Sequence, residues 1–552
     1  MKLKNKKMLA TLCSLVTAFS LVACNQTDED PSQLGSDPSG NDSDLKTVTF
    51  AKELDIISMD SSYATDGTSF EAIHATIEGL LTVDAEGNLI PALATDKAVV
   101  SKDGTTYTYT LKDAKWDNGD AVTADDFVYA WQRTVSSPDA EYSYLYTEDG
   151  ACVLNAADVM SGDKKPEELG IKAIDEKTLE VTLSKPCEYF ENLMSFPVFY
   201  PINKAFATEK GDQYALTPEN MLACGAYKMV SWETGSKYVF EKNDSYYDKD
   251  AVKVDQLVFN VVKDLSSSAL AFESGDVNFT KLNKDLVDKY KSSEDYKEVL
   301  EGYLWYFQYN LGNEYLKNDN IRKALSLAID KEDLTQNVLK DGSIVAQGFV
   351  PKSLATGPDG KDYRDTAKNH QETNLEEAKK AWSEGLKELG VDSISLKLLF
   401  DNADPAKSAA EYLQSNLQTA LEGLTIEMVA QEKNNRIEMQ KSRDFEISLT
   451  RWGPDYADPT TYLYLMTTGN SYNYGDYSNE EFDKNIKDAA NAATPEERWQ
   501  LLKDAEEVCM NDYAVAPIFQ VGGASLVSNN IKGIEAHTVG VPYIYKNVNI
   551  VE

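Results

Sequence analysis

The stretch Arg451-Trp452-Gly453-Pro454-Asp455-Tyr456-Ala457-Asp458-Pro459 is the most distinctive in this chain of 552 residues. It follows residues 445–450, a run that is typical of a strand. It places two carboxylates, Asp455 and Asp458, three residues apart among aromatic residues and prolines. One interpretation is purely structural, in which Asp455 begins a turn before Pro459. The alternative, that Asp455 contacts a ligand, depends on the rest of the chain.

A second distinctive region lies in the first quarter of the chain. It runs from Glu78-Gly79-Leu80 through residues 111–120 (LKDAKWDNGD) to residues 122–127 (VTADDF). Thr123 suits a helix N-cap, and Asp126 lies three residues on, where a carboxylate stabilises the first turn. Further short segments follow in order, namely residues 167–173 (EELGIKA), 225–227 (GAY), 246–248 (YYD) and 321–330 (IRKALSLAID).

Together these segments resemble the extracellular solute-binding proteins, family 5, of the oligopeptide and dipeptide ABC importers. The resemblance extends from about residue 47 to the C-terminus. It implies an α/β, periplasmic-binding-protein-like fold (class II, cluster C), in which two lobes close on a ligand and an additional domain is inserted. On this numbering lobe one combines residues 45–77, 204–303 and 524–552, the inserted domain is residues 78–203, and lobe two is residues 304–523. Glycines at positions 302, 522 and 523 suit a hinge between the lobes.

The resemblance also implies which residues would hold a peptide. Asp455 would pair with the ligand's α-ammonium through charge-assisted hydrogen bonds. The main chain of Arg451, Trp452 and Gly453 would pair with the peptide backbone. Across the cleft, residues 64–68 would form another extended contact, and aromatic side chains would add apolar walls. The residues concerned are Ala64, Thr65, Asp66 and Gly67, with Trp452 and Tyr142 or Tyr144 as the walls.

The sequence departs from the family at the other end of the ligand. Where short-peptide binders have Arg and His side chains that meet the peptide carboxylate, this chain has Gln440 and Ala406, and Lys433 is the nearest replacement cation. We therefore expect tolerance of longer peptides whose tail leaves the cleft.

The N-terminus predicts export and a lipid anchor. Residues 1–23 have the basic start, apolar run and small-residue end of a signal peptide, and the run is too short to span a bilayer. Leu21-Val22-Ala23-Cys24 resembles a lipobox, in which Cys24 becomes the acylated N-terminus; an ordinary signal with an incidental cysteine is the alternative. Residues 24–44 are polar enough to form a disordered tether. The tether fits the outer face of a Gram-positive cell membrane better than a Gram-negative periplasm.

Composition excludes several classes of function. The formal charge is −37, or −41 without the four lysines of residues 1–23, which argues against nucleic acid as a partner. Four further cysteines permit two disulfides in three pairings, or buried thiols, and the histidines are too scattered in sequence for a zinc site. These cysteines are Cys152, Cys187, Cys224 and Cys509, and the histidines are His74, His370 and His537.

No catalytic motif is recognisable, so we predict no catalytic residue, no metal, no cofactor and no enzymatic activity. The predicted function is capture of extracellular oligopeptides by a monomer that delivers them to a membrane-embedded ABC permease and its ATPase subunits. The same fold could instead bind a peptide pheromone, nickel chelate, heme or short glycan. A surface hydrolase or chaperone that uses the same cleft is a further alternative.

Residue periodicity predicts the secondary structure that carries these features. The predicted strands are residues 47–54, 105–111, 178–183, 395–400, 425–429 and 445–450. The predicted helices are residues 68–78, a helix capped by Thr123, and residues 320–339, 375–389, 405–421 and 495–510.

Overall fold

The computed structural model describes residues 45–148, 150–403 and 405–551. Cys24, the predicted signal peptide and the predicted tether lie outside the described residues. Within the described ranges, no helix has both the length and the apolar composition needed to cross a membrane.

The strands of the described residues run from β1 near residue 47 to β21 near the C-terminus. In chain order they are β1 Thr47–Lys52, β2 Leu81–Val83, β3 Leu89–Pro91, β4 Val99–Val100, β5 Thr106–Thr110, β6 Ile171–Asp175, β7 Thr178–Thr182, β8 Tyr227–Glu233, β9 Lys237–Lys242, β10 Gln256–Val261, β11 Phe279–Leu282, β12 Tyr296–Tyr309, β13 Ile344–Val345, β14 Ile394–Asp401, β15 Leu424–Gln431, β16 Ile447–Trp452, β17 Val515–Val527, β18 Ile531–Lys532, β19 Glu535–Ala536, β20 Tyr543–Ile544 and β21 Asn549–Ile550.

The α-helices of the same ranges vary from single turns to α16, which is 17 residues long. In chain order they are α1 Gly67–Thr76, α2 Ala124–Val135, α3 Ala156–Ser161, α4 Phe190–Leu193, α5 Lys204–Lys210, α6 Leu265–Ser274, α7 Lys284–Tyr290, α8 Asp319–Leu327, α9 Lys331–Asp333, α10 Tyr363–Thr366, α11 Leu375–Leu389, α12 Ala406–Ala420, α13 Lys433–Lys441, α14 Thr460–Leu463, α15 Glu480–Ala489 and α16 Pro495–Asn511. A 3-10 helix, Glu141–Tyr146, follows α2.

One mixed sheet extends through most of the described chain. Its strand order is β15-β14-β16-β12-β17-β11-β1-β10-β9-β8, and β13 also pairs with β17. Neighbours are parallel between β15, β14 and β16 and between β11, β1 and β10. A separate sheet, β4-β5-β7-β6, lies within residues 99–182.

The buried apolar residues divide into groups at the two ends of the large sheet. One large cluster draws on residues 48–259 and 531–548, and two others draw on residues 304–519. Tyr456 is an exception, because it packs with the first cluster although its sequence neighbours pack with the others.

The long strands β12 and β17 connect the two ends of the sheet. β12 pairs with β16 over Leu304 to Tyr309 and with β17 over most of its length, while β17 pairs with β11 over Ala524 to Val527. The β12–β17 register shifts between Leu300 and Leu304, opposite Gly522. Gly302 lies in this irregularity, where a Cβ atom would clash with the carbonyl oxygen of Thr538 and come within 2.6 Å of the Pro454 ring.

Most elements predicted from periodicity are confirmed, with ends displaced by a few residues. Thr123 precedes α2, and the Asp126 carboxylate accepts its backbone N–H at 3.0 Å, as the capping pattern predicted. The single helix predicted over residues 320–339 was wrong. It is interrupted after Leu327, because Asp330 accepts the N–H of Asp333 and caps a new helical start.

Candidate ligand site around Asp455

The segment 451–459 leaves the large sheet at the end of β16. Arg451 and Trp452 still pair with Trp305 and Leu304 of β12. The Tyr462 hydroxyl lies 3.0 Å from the carbonyl oxygen of Trp452 and 2.5 Å from that of Gly302. These contacts fix the start of the segment against the irregular part of β12.

Gly453 permits a close contact at the same place. The Tyr303 ring lies against its backbone, so that any Cβ atom there would overlap the ring. The φ angle of Gly453 is not positive, so its backbone conformation does not require glycine. Glycine is required at this position because there is no room for a side chain beside Tyr303.

Asp455 carries a partly buried carboxylate. Its backbone N–H donates to the Thr461 hydroxyl at 3.1 Å, and its side chain accepts a hydrogen bond from the Tyr144 hydroxyl. Within the described part of the chain, no Lys, Arg or His side chain lies within ion-pair distance of it. Burial raises the pKa of Asp455 to about 7, although the Tyr144 hydrogen bond acts in the opposite direction.

Asp458, three residues further on, is fully neutralised. The guanidinium of Arg498 donates to both carboxylate oxygens at 2.8 and 2.9 Å, and the Thr460 hydroxyl donates to Oδ1 at 2.6 Å. Both ionic partners are buried. Asp458 therefore stabilises the turn, and its charge is already paired with a cation of the protein.

A second segment, residues 188–192, contacts residues 456–458. The Tyr189 and Tyr456 rings stack with centroids 4.2 Å apart and planes within 5°. The Asn192 amide donates to the carbonyl of Ala457 at 2.9 Å, and Glu188 pairs with Arg498 at 2.6 Å. We call these three contacts the 188–192 contact set.

Aromatic residues surround the Asp455 carboxylate. Tyr142 and Tyr144, on the 3-10 helix, stack at 6.0 Å, and Tyr142 meets Phe70 edge-to-face at 5.7 Å. Burial, followed by the nearby charge of Asp455, raises the pKa values of both tyrosines. The exposed Arg451 guanidinium lies over the Tyr303 ring, 4.9 Å from its centroid.

The segment 64–68 is extended only at its beginning. The expectation of an extended piece through Thr68 was wrong, because α1 begins at Gly67. Asp66 caps that helix by accepting the N–H of Ser69 at 3.0 Å and the Ser69 hydroxyl at 2.6 Å. Ala64 is buried, while Thr65 is exposed.

The positions matched to the carboxylate end of the ligand are Ala406 and Gln440, and Lys433 does not simply take over the role of a cation there. Ala406 and Gln440 are buried, and the Gln440 amide is used in bonds to Arg436 and to Gln308, the latter at 2.8 Å. Arg436 is buried as well, and it bonds Asp401 at 2.6 Å and Thr450 at 2.8 Å. Lys433 is exposed in the first turn of α13.

The structure thus brings some of the predicted residues together. Asp455 lies close enough to Tyr144 and Tyr142 for its charge to raise the pKa values of both tyrosines, and Asp66 adds to the effect on Tyr142. Arg451, Trp452 and Gly453 precede Asp455 in the same segment. Lys433 makes no ion pair or hydrogen bond to any of them within the described residues. Four residues of the site were not predicted from the sequence, namely Tyr303, Thr461, Arg436 and Arg498. Only Tyr303 had a signal in the sequence, because it lies next to the predicted hinge at Gly302.

Among residues 45–148, 150–403 and 405–551, no three His, Cys, Asp or Glu side chains are grouped as metal ligands.

Comparison with known proteins identifies the family. Residues 88–474 match the model for bacterial extracellular solute-binding proteins, family 5. A dipeptide-binding protein of Lactococcus lactis is 34% identical over 529 residues, which is 92% of this chain and 95% of that protein. The structure of Listeria monocytogenes OppA bound to peptide is 37% identical with a TM-score of 0.73, covering 92% of this chain and all of that one. The structure of the pheromone receptor PrgZ is 33% identical with a TM-score of 0.74 and the same coverage.

These matches also confirm the α/β, two-lobed solute-binding fold expected from the sequence. Because the family model covers most of the chain and the relatives align over more than nine-tenths of it, the protein belongs to the bacterial extracellular solute-binding proteins of family 5.

Proposed function

We propose that the protein is a lipid-anchored receptor that captures extracellular oligopeptides between its two lobes and delivers them to an ABC importer. In this proposal residues 45–77, 204–303 and 524–552 form lobe one, residues 78–203 the inserted domain and residues 304–523 lobe two. Names of relatives support the ligand class, since one is a dipeptide-binding protein and one solved relative is bound to peptide. The protein itself performs no chemistry on the peptide.

The observation that carries the proposal is the Asp455 carboxylate, which has no cationic partner among the described residues. A carboxylate taken out of water without a cation is unfavourable, as its raised pKa reflects. The α-ammonium of a peptide would supply both the missing charge and three N–H donors. Asp458 offers a contrast within the same turn, because Arg498 already occupies it.

The peptide backbone would pair with the free edge of β16. On one side β16 pairs with β12 up to Trp452, whereas on the other side its pairing with β14 ends at Ser448. In the described residues no strand covers that edge beyond Ser448, next to the turn that holds Asp455. An extended peptide that adds there would gain main-chain hydrogen bonds that do not depend on its side chains.

A path for the tail of a longer peptide begins at Trp452. The Trp452 and Tyr472 rings meet edge-to-face at 5.1 Å, and Tyr472 is 6.2 Å from Tyr474. Tyr474 lines a polar cavity of about 230 Å³ together with Lys441 and Arg443. Because Arg436 is already neutralised and Gln440 is buried, we infer that the tail is not gripped by a dedicated cation but passes over these aromatic rings.

Titration calorimetry with a peptide and its N-acetylated form tests the role of Asp455. Asp455→Asn should weaken the free-amine peptide by roughly 30-fold or more, the usual consequence of removing one partner of a buried charge pair. The same substitution should change binding of the acetylated peptide by less than about threefold. Asp392→Asn, at an exposed carboxylate, is the matched control.

Equal losses for both peptides would show that Asp455 does not bind the α-ammonium.

Peptides of two to twelve residues, titrated into the unaltered protein, test whether the tail of a longer peptide leaves the cleft. Binding restricted to di- and tripeptides would contradict passage of the tail out of the cleft.

Anchoring and delivery have a separate test. Cys24→Ala should release an intact, peptide-binding protein into the medium, because the anchor and the receptor are independent parts. Loss of binding by the released protein would contradict that separation. Uptake of a labelled peptide by cells that carry the partner permease should fall when the receptor is released.

A peptide pheromone is the second candidate ligand, because the pheromone receptor PrgZ aligns over the same 92% of the chain. Mass spectrometry of ligands retained on purification separates the two. A heterogeneous set of peptides supports the nutrient receptor, whereas one recurrent sequence supports a pheromone receptor. A metal chelate, heme or sugar alone would reject both.

A further inference from the structure

Two of the four cysteines in the described ranges lie on neighbouring loops. Cys152 and Cys187 are both buried and both belong to the first apolar cluster. The loops run side by side, because the N–H of Ser184 donates to the carbonyl of Cys152 at 2.8 Å and Val153 pairs with Leu183 in an antiparallel bridge. The two residues are therefore near neighbours in space although 35 positions separate them in sequence.

The sulfur atoms converge on one backbone oxygen. Each Sγ lies 3.7 Å from the carbonyl oxygen of Gly150, and Cys152 is close enough to contribute to the raised pKa of Cys187. The loop that carries Cys152 is held in place by N–H groups of Ala151 and Val153, which donate to Leu145 at 2.6 Å and Tyr146 at 2.8 Å. The side chains are thus already positioned towards one another.

The other pairings are unfavourable. Cys509 lies on α16 in a different apolar cluster from the remaining three. Cys224 lies where its backbone N–H donates to Thr76, and its thiol accepts from the backbone of Glu78. The sequence left three disulfide pairings open. Only the pairing that contains Cys152–Cys187 joins neighbouring sulfur atoms, and the other two would require large movements of the backbone.

We propose that Cys152 and Cys187 form a disulfide in the exported protein. The proposal rests on the export included in the proposed function, because disulfides persist in oxidising compartments. The oxidant is an external disulfide, R–S–S–R. One cysteine thiolate attacks it and releases a first RS⁻; the second thiolate attacks the resulting mixed disulfide and releases another. The two cysteines lose two protons and two electrons, and R–S–S–R is reduced to two R–SH.

Burial determines when this exchange occurs. The reactive species is the thiolate, and burial raises the pKa of Cys187 well above its ordinary value. Exchange is therefore slow once the cluster has closed and occurs while the newly exported chain is still open. After folding, the same burial protects the bond from external thiols.

The disulfide would brace the 188–192 contact set. Cys187 immediately precedes Glu188, which pairs with Arg498, and Tyr189, which stacks on Tyr456 beside Asp455. A bond at Cys187 fixes the beginning of this segment relative to the 3-10 helix that carries Tyr142 and Tyr144. Reduction should therefore lower the melting temperature and weaken peptide binding severalfold.

Thiol counting on the protein exported with its own signal tests the proposal. The protein is denatured in iodoacetamide, with and without prior reduction, and analysed by peptide mass spectrometry. We expect two alkylated cysteines, Cys224 and Cys509, before reduction and all four after it. A linked peptide pair should contain Cys152 and Cys187.

Four alkylated cysteines without reduction, or a link that involves Cys224 or Cys509, would overturn the proposal. The variant with Cys224→Ala and Cys509→Ala should retain the link. Because thiol counting does not depend on ligand, peptide titration of the same preparation separates the two ideas. Binding by a fully reduced protein rejects the disulfide alone, and a linked protein that binds no peptide rejects the receptor alone.

Discussion

Two buried charges on the same part of the molecule, Asp455 and Arg436, differ in their partners. Arg436 bonds Asp401, Thr450 and Gln440, so that each side of its guanidinium is satisfied within the protein. Asp455 has hydrogen bonds but no cation in the described residues. The difference indicates which end of a ligand the protein grips. A partner charge is missing for the ammonium end, and none is missing for the carboxylate end.

The largest effect is expected from removing Arg436, the cation that already has partners within the protein. Arg436→Met should lower the free energy of unfolding by roughly 3–5 kcal/mol, because it leaves Asp401 uncompensated. Denaturant titration monitored by tryptophan fluorescence measures the effect. Lys433→Met, on the exposed side of the same helix, should change it by less than about 0.5 kcal/mol. Similar effects of the two variants would contradict the assignment of Arg436 as an internal structural cation.

Acidification should weaken capture of free-amine peptides. The ionised carboxylate binds the ammonium, so protonation of Asp455 competes with the ligand below its pKa of about 7. Affinity should be roughly 50-fold lower at pH 5 than at pH 7, following one titrating group. Calorimetry across pH 5 to 8 measures this profile. Asp455→Asn should be flat over the same range, and a sloping profile in that variant would assign the titration to another group.

Neutralising the unsatisfied carboxylate should have the opposite effect on stability from losing Arg436. The folded-state pKa of Asp455 is raised, so the unliganded protein loses stability as pH increases from about 4 to about 7. Asp455→Asn should remove this loss and raise the free energy of unfolding at pH 8 by roughly 1–3 kcal/mol. A decrease would show that a cation reaches Asp455 in the unliganded protein.

Tyr144 and Tyr142 form a matched pair for a finer test. Tyr144→Phe removes the hydrogen bond that favours the ionised carboxylate, so the pKa of Asp455 should rise further. Peptide affinity at pH 7 should fall by roughly tenfold or more, because a hydrogen bond to a charged group contributes about 1.5–3 kcal/mol. Tyr142→Phe leaves that bond in place and should change affinity by less than twofold. Identical losses would mean that both rings act through packing alone.

The smallest effect is expected at Lys433. An exposed cation contributes little to binding because water and salt screen it, so Lys433→Met should weaken peptides by less than about threefold. The loss should be no greater for a tripeptide than for an octapeptide, as titration of both would show. A large loss confined to tripeptides would restore Lys433 as the anchor of the ligand carboxylate.

Local pattern predicted much of the fold. The predicted helix over residues 375–389 and strand over residues 395–400 coincide closely with α11 and β14, since each has a clear period and clear end signals. The strands β12 and β17 were not predicted. The C-terminal part of β12, Leu304 to Tyr309, and most of β17 are buried on both faces, so the alternation that reveals a half-exposed strand is missing there.

The site was predicted less completely than the fold. The resemblance implied Tyr142 or Tyr144 as an apolar wall and did not predict the hydrogen bond from Tyr144 to Asp455. The arrangement at the positions matched to the carboxylate end of the ligand did not follow from the sequence either. Helix α13 places Lys433 outward and Arg436 inward, and its weak apolar pattern does not indicate which side is buried. Arg498 lies 40 residues from Asp458, and no local rule connects such a pair.

The continuity of β12 and β17 limits how the molecule can be dissected. β12 pairs with β16 over Leu304 to Tyr309, and β17 pairs with β11 over Ala524 to Val527. The two strands also pair with each other from Tyr296 to Gln308 of β12. A fragment cut between the two halves would carry half of each strand and expose unpaired backbone along a flat apolar edge, which promotes aggregation. We therefore expect neither half to be a useful recombinant fragment. Reporter groups for ligand binding should be introduced in the intact chain, on opposite sides of Gly302.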